Sequence, residues 1–168
     1  MIQVVFAVSF LLVNAIGINA GTNFEVTWKK NCGYNQYVWH VSSVHSNPHQ
    51  DRSWTFLCKY SSRVTTTCSW TGWVNLFTRE LLYQCPNGVI AGVYSYHSNK
   101  YEDRRFSFKC CSTKYGYGYA CYWTGYVNYS DGYLNYGVPT GYFLTGVKGD
   151  YDQKKKDRRW RFQYCKRA

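Results

Sequence analysis

One short phrase occurs three times along the chain: Asp51-Arg52-Ser53-Trp54-Thr55-Phe56, Asp103-Arg104-Arg105-Phe106-Ser107-Phe108 and Asp157-Arg158-Arg159-Trp160-Arg161-Phe162. The intervals are 52 and 54 residues. A repeat of this size constrains architecture more than any local propensity, because each unit must bury its apolar face against its neighbours. The units span roughly 28–75, 82–128 and 134–168. Each runs from an opening position (Cys32, Cys85 or Gly137) into a hydrophobic strand (37–44, 89–96 or 142–147), then through a polar loop into the phrase. Units one and two add a nearly identical closing strand, Cys68-Ser69-Trp70-Thr71-Gly72-Trp73-Val74-Asn75 and Cys121-Tyr122-Trp123-Thr124-Gly125-Tyr126-Val127-Asn128; unit three stops before it. Aromatic residues make up 20% of the chain, a mix that favours pleated, half-buried surfaces over helices. Frequent turn residues point the same way. The expectation is all-β: a single domain of three ~53-residue repeats with pseudo-threefold symmetry, β-trefoil- or β-prism-like and stapled by disulfides.

Side chains alternate faces along a strand, so Arg52, Trp54, Phe56 and Cys58 share one side, as do Arg104, Phe106, Phe108 and Cys110. The third copy places Arg158, Trp160, Phe162 and Tyr164 together. The aromatic side is the core side. An arginine there is costly unless a carboxylate or carbonyl meets it, and the adjacent Asp51, Asp103 or Asp157 points the other way. Each arginine is therefore expected to be satisfied from a neighbouring unit, with stacking on its own Trp or Phe.

Eight cysteines in a short chain with a leader read as a disulfide framework. Cys110 and Cys111 are adjacent in a strand and must serve different neighbours. Cys58 and Cys110 each lie seven residues after their Asp and have an opening cysteine upstream, which pairs Cys32 with Cys58 and Cys85 with Cys110. Unit three lacks both equivalents, carrying Gly137 and Tyr164. Cys111 and Cys165 lie eight residues after their Asp, and Cys68 and Cys121 open the preceding closing strands. That pairs Cys68 with Cys111 and Cys121 with Cys165. Zinc would require clustered ligands at short spacing, and none appear, so neither a metal nor a cofactor is expected.

Residues 1–20 read as a signal peptide cut after Ala20 or at Gly17, leaving 21–168 as the domain. The apolar stretch is shorter than the ~20 residues a membrane span needs, so no transmembrane anchor is expected. The net charge of +11 falls wholly after residue 20. For a secreted chain this selects polyanions such as sulfated or carboxylated glycans, anionic lipid surfaces and acidic matrix proteins, rather than nucleic acid.

The triple Asp-Arg-x-(Trp/Phe)-x-Phe phrase, the Cys-Cys pair and the Cys-x-Trp motifs resemble the dermatopontin family over essentially all of 21–168. The resemblance implies a secreted, disulfide-bonded matrix or defence protein. Vertebrate members bind proteoglycans and assist collagen assembly and cell adhesion; invertebrate relatives include haemagglutinins and amebocyte aggregation factors, and some cnidarian relatives are cytotoxic.

Three features are candidate sites. Lys154, Lys155, Lys156, Arg159, Arg161, Lys166 and Arg167 form the densest basic run, read as a patch for sulfated glycans or proteoglycans on cell surfaces or collagen matrix. The repeated His45-Ser46-Asn47 and His97-Ser98-Asn99 loops, with His45, Asn47, His97 and Asn99, are candidate sugar loops. Asn128-Tyr129-Ser130 is an N-glycosylation sequon. No nucleophile elbow, paired-carboxylate motif or free thiol points to an enzyme. A glycan-binding adhesion or agglutination protein is the leading expectation, with a structural matrix component and a membrane-active cytotoxin as alternatives; the oligomeric state is left open.

Overall fold

The computed structural model describes residues 21–116 and 119–166. The expected leader over 1–20 and Arg167 lie outside these residues. Eleven strands form, and the described residues contain no helix. Three long hairpins dominate: β2 (Gln36–Ser46) with β3 (Asp51–Tyr60), β6 (Gly88–Ser98) with β7 (Asp103–Thr113), and β10 (Phe143–Asp152) with β11 (Asp157–Lys166). At each tip the residue before the aspartate turns with positive φ: Gln50 at 44°, Glu102 at 51° and Lys156 at 50°.

Short strands stitch the hairpins into three sheets. β1 (Trp28–Asn31) pairs with β6, β5 (Leu81–Gln84) with β10, and β9 (Leu134–Gly137) with β2. β4 (Val64–Trp70) and β8 (Tyr119–Trp123) then flank β7 and β11, giving the orders β1-β6-β7-β4, β5-β10-β11-β8 and β3-β2-β9. Every sheet therefore combines a hairpin with a strand remote in sequence.

The disulfides follow the same plan. Cys32 is bonded to Cys58, Cys85 to Cys110, Cys68 to Cys111 and Cys121 to Cys165, with separations of 26, 25, 43 and 44 residues. In the chain-entropy picture each such loop contributes about 3–4 kcal/mol. Cys110 and Cys111, on opposite faces of β7, bond in different directions, to Cys85 just after β5 and to Cys68 in β4.

Inside, the phrase aromatics meet. Trp54, Phe106 and Trp160 pack edge to face around one point, with centroids 5.1 to 6.1 Å apart. This geometry brings the positive ring edge onto the negative face. Gly149 is required here, since a Cβ would lie 2.9 Å from the Trp160 ring.

The closing strands are shorter than expected. β4 ends at Trp70 and β8 at Trp123, and the Thr-Gly-aromatic-Val-Asn stretch that follows clasps the hairpin through side chains as well as backbone. Thr71 N and Val74 N donate to Phe108 and Phe106 carbonyls, while Phe108 N and Phe106 N donate to Thr71 Oγ1 and Asn75 Oδ1. Thr124, Val127 and Asn128 repeat these bonds on Phe162 and Trp160. Without a side-chain acceptor at the Thr and Asn positions, the buried phrase N–H groups would lack partners.

Above the aromatic centre sits a closed ring of ion pairs. Arg52 Nε and Nη2 donate to Asp157 at 2.6 and 2.7 Å, Arg104 to Asp51 at 2.6 and 2.6 Å, and Arg158 to Asp103 at 2.9 and 2.6 Å. Each arginine thus takes the carboxylate of the same phrase in another hairpin. All six side chains are at most 4% exposed. Asp51, Asp103 and Asp157 also accept the N–H of Glu25, Thr78 and Asp131, three residues held at positive φ. Two details depart from expectation. The aspartates are interior rather than on an outer face. Moreover, Arg104 and Arg158 lie over Trp28 (5.4 Å) and Tyr151 (5.3 Å), not over the rings of their own phrases.

Removing one carboxylate would strand a buried guanidinium, a change that typically costs about 3–5 kcal/mol. Asp103→Ala is accordingly expected to lower the unfolding free energy by about that amount in guanidinium titration. A loss under about 1 kcal/mol, the value of an exposed pair, would show that the ring does not hold the hairpins together.

Candidate functional site

The basic run is spread along one hairpin instead of gathering into one patch. Lys154 and Lys155 are exposed in the β10–β11 turn, where Lys155 pairs with Asp131 at 3.0 Å. Lys156 is half-buried and, with Gln50 and Glu102, lines a space of about 30 Å³ that is also walled by the ion-pair ring and the three central aromatics. Lys166 sits at the far end of β11, 5.6 Å from the Tyr142 ring. Among the described residues of the run, Arg159 and Arg161 are brought together on one ring, because residues two apart on a strand share a face.

Between those two lies Tyr126. The Arg159 guanidinium is 3.6 Å and that of Arg161 4.1 Å from its centroid, so one ring carries two cations. The clasp fixes the ring's height over β11, and Tyr126 Oη donates to Asp150 at 2.9 Å. Beside it opens a hollow of about 410 Å³ lined by Tyr126, Val127, Asn128, Tyr129, Tyr133 and Arg159. Tyr129 is 85% exposed and Tyr133 61%. The Nε atoms of Arg159 and Arg161 are buried without hydrogen-bond partners. Nearby, Lys148 bonds Glu80 at 3.1 Å and lies 3.7 Å from Asp150; first the Glu80 bond and then the Asp150 charge raise its pKa.

Sequence reasoning singled out Arg159 and Arg161 but missed the three tyrosines. The available signal was the variable position of the clasp: Trp-Thr-Gly-aromatic-Val-Asn packs Val against the core, buries Asn and turns the aromatic outward.

The His-Ser-Asn loops do not present their histidines. His97 is 4% exposed and its Nδ1 contacts Asn99 Oδ1 at 3.0 Å; the His45 side chain is 1% exposed. Both stand opposite the buried arginines in the hairpin register, His45 across from Arg52 and His97 across from Arg104. Their inward direction follows from that pairing. Asn47 and Asn99 are exposed, and the Asn47 carbonyl closes its turn with Gln50. In the third hairpin the matching position is Tyr151, whose hydroxyl donates to the Tyr101 and Glu102 carbonyls at 3.2 Å. Burial first, then the Asp103 charge, pushes the Tyr151 pKa up to about 12.

His45, Asp131 and Asp157 offer ligand atoms within 4.8 Å of one another. Both Asp157 oxygens already bind Arg52, and Lys155 neutralises Asp131, so the cluster serves the ion-pair ring and not a metal.

The asparagine of the sequon stands inside the clasp. Asn128 is buried at 6% exposure, its Nδ2 donates to the Tyr129 and Arg158 carbonyls, and its Oδ1 accepts from Trp160 N. Asn75 makes the same bonds outside any sequon. The asparagine is there for the clasp, and a glycan on Nδ2 would break it.

The geometry defines a class: a disulfide-stapled all-β protein with a closed polar and aromatic interior, whose distinctive chemistry lies in outward tyrosines and arginines. A sequence model described as Dermatopontin matches residues 22–168, and the chain belongs to the dermatopontin family. It is 44% identical to a hemagglutinin/amebocyte aggregation factor of Limulus polyphemus, over 75% of this chain and 74% of that protein. Identity is 38% to a dermatopontin of Biomphalaria glabrata (80% and 91%) and 30% to Millepora cytotoxin-1 of Millepora dichotoma (80% and 60%). No solved structure matches the chain. Among the described residues, no helix is long and apolar enough to cross a membrane.

Two measurements test these assignments. Intact mass of protein from a glycosylating host is expected to show Asn128 unmodified, and Asn128→Ala to lose about 1–3 kcal/mol as buried groups lose partners. For Tyr151, the raised pKa favours the neutral phenol in the folded state. Its contribution is complete below the ordinary pKa of about 10 and is lost as pH rises through about 12. Tyr151→Phe should therefore lose less stability than wild type over that alkaline window, and equal losses would contradict the assignment.

Proposed function

We propose that the chain is a secreted glycan-binding protein that recognises sulfated or otherwise anionic sugars on cell surfaces or matrix and promotes adhesion or agglutination. One observation carries the reading: Tyr126 held between Arg159 and Arg161 beside an open hollow walled by Tyr129 and Tyr133. The tyrosine rings offer apolar faces to the C–H side of a pyranose, and guanidinium groups donate charge-assisted hydrogen bonds to a sulfate or carboxylate. Fork-shaped guanidinium groups suit such oxyanions better than point-like ammonium groups. The net charge of +11 draws a polyanion to the surface and makes the encounter salt-dependent. The Limulus relative, a hemagglutinin and aggregation factor, supports binding to cells over catalysis, and we read the chain as a binding protein, with proteoglycans as the partner class.

Retention on a heparin column is the direct test. Arg159→Ser with Arg161→Ser is expected to weaken affinity for a sulfated oligosaccharide by about tenfold or more, since each charge-assisted bond is worth about 1.5–3 kcal/mol. Retention of the wild type should fall steeply as salt rises. Unchanged affinity in the double variant, or binding indifferent to salt, would overturn the reading.

A further inference from the structure

We propose that the outer face of the second hairpin is a second anionic-glycan site, so that one copy of the chain bridges two glycans without oligomerising. The proposal rests on the reading that the chain binds such glycans, and it assigns residues that reading does not use.

The backbone places Trp73 where Tyr126 stands in the third hairpin. Val74 N donates to the Phe106 carbonyl at 2.9 Å as Val127 N does to Trp160, and Asn75 matches Asn128 bond for bond. Arg105, next to Arg104 in its phrase, takes the place of Arg159. Its guanidinium lies 5.5 Å from the Trp73 ring and 5.7 Å from Phe77, and Nε is held by the Asn75 carbonyl at 3.2 Å. The other side of Trp73 meets Tyr94 at 5.1 Å. Lys29, from β1, lies 4.3 Å over Trp70 and 5.8 Å over Tyr94. Cations and rings thus lie side by side across β1, β6, β7 and β4 and the clasp that follows β4.

Two properties mark this face as unfilled. Trp73 keeps 38% of its surface exposed despite Tyr94 and Arg105 against it. Among the described residues, neither Lys29 nor Arg105 pairs with a carboxylate, whereas Lys148 and Lys155 on the third hairpin do. Free cations flanking exposed rings complement a chain of pyranoses carrying sulfates or carboxylates: ring faces stack on C–H surfaces, and the charged substituents fall at Lys29 and Arg105. A protein surface would need a larger apolar area than one row of rings gives.

The first hairpin cannot supply a third such site. Where the others carry Arg105 and Arg159 it has Ser53, and opposite that position it has Val44 where the second has Tyr96. The molecule therefore has two unlike sites, the one on the second hairpin built on indole rings and the one on the third richer in phenol rings and guanidinium. Two sites on one rigid body cross-link surfaces through effective concentration.

The test is stoichiometry. A size-fractionated, heparin-derived hexasaccharide titrated into the intact protein by calorimetry, with mass in solution measured in parallel, should bind twice per chain. Trp73→Ala with Lys29→Ser should leave one site, Arg159→Ser with Arg161→Ser should leave the other, and the four changes together none. Each pair should abolish red-cell clumping by a monomer while binding persists. Lys29→Ser with Arg105→Ser, which keeps Trp73 in place, decides the point if the Trp73 variant misfolds. A single wild-type site that survives the second-hairpin changes would overturn this inference and leave the proposed function standing. Two sites that survive them would also overturn it. No binding by the wild type would remove both.

Discussion

Three arginines buried at one end of the molecule set the terms for everything around them. Each guanidinium has a single bidentate partner, the aspartate of another hairpin, and the three pairs close into a neutral ring. Buried pairs are poor sources of net stability, because desolvation offsets most of the attraction. What such a ring enforces is uniqueness. A hairpin that slipped by one residue would turn its arginine outward and its neighbour's aspartate into a buried, unpaired charge. Hydrophobic packing alone would tolerate such slips more readily than six interlocking charges do.

Beneath the ring the same logic continues in apolar form. Trp54, Phe106 and Trp160 can meet edge to face only when the hairpins are docked in the register the ion pairs impose. The clasps then carry the fold outward, with Thr71 and Thr124 capping phrase N–H groups that no strand reaches. Because Val and Asn of each clasp face inward, the residue before them is left facing solvent. Structure holds that position in place but does not dictate its side chain. That freedom explains how one scaffold carries Trp73 on one face and Tyr126 on another.

Much of the architecture was legible from residue pattern. Coincident absences, such as Gly137 with Tyr164, identified which cysteines belong together without any distance. The need of each core arginine for a carboxylate from elsewhere in the chain could likewise be read from strand alternation. Which carboxylate could not, since alternation sends Asp51 away from Arg52 and says nothing of Arg104. The histidines misled for a related reason: His45 and His97 sit in polar, turn-like sequence, yet hairpin pairing sets them opposite buried arginines. Asn128 misled because a sequon and a clasp asparagine look alike in one dimension.

Taken alone, the chain of residues determined that there would be strands, hairpins at the Asp-Arg phrases and a cysteine framework, because these follow from periodicity and local turn chemistry. Tertiary structure alone decided which cations meet which rings. Lys29, Tyr94, Arg105 and Trp70 come from β1, β6, β7 and β4, Trp73 and Tyr126 from the two clasps, and Arg159 and Arg161 from β11, and spacing along the chain carries no information about proximity between such segments. The proposed binding surfaces depend on such neighbours, and these meet only once the ion-pair ring has fixed the register.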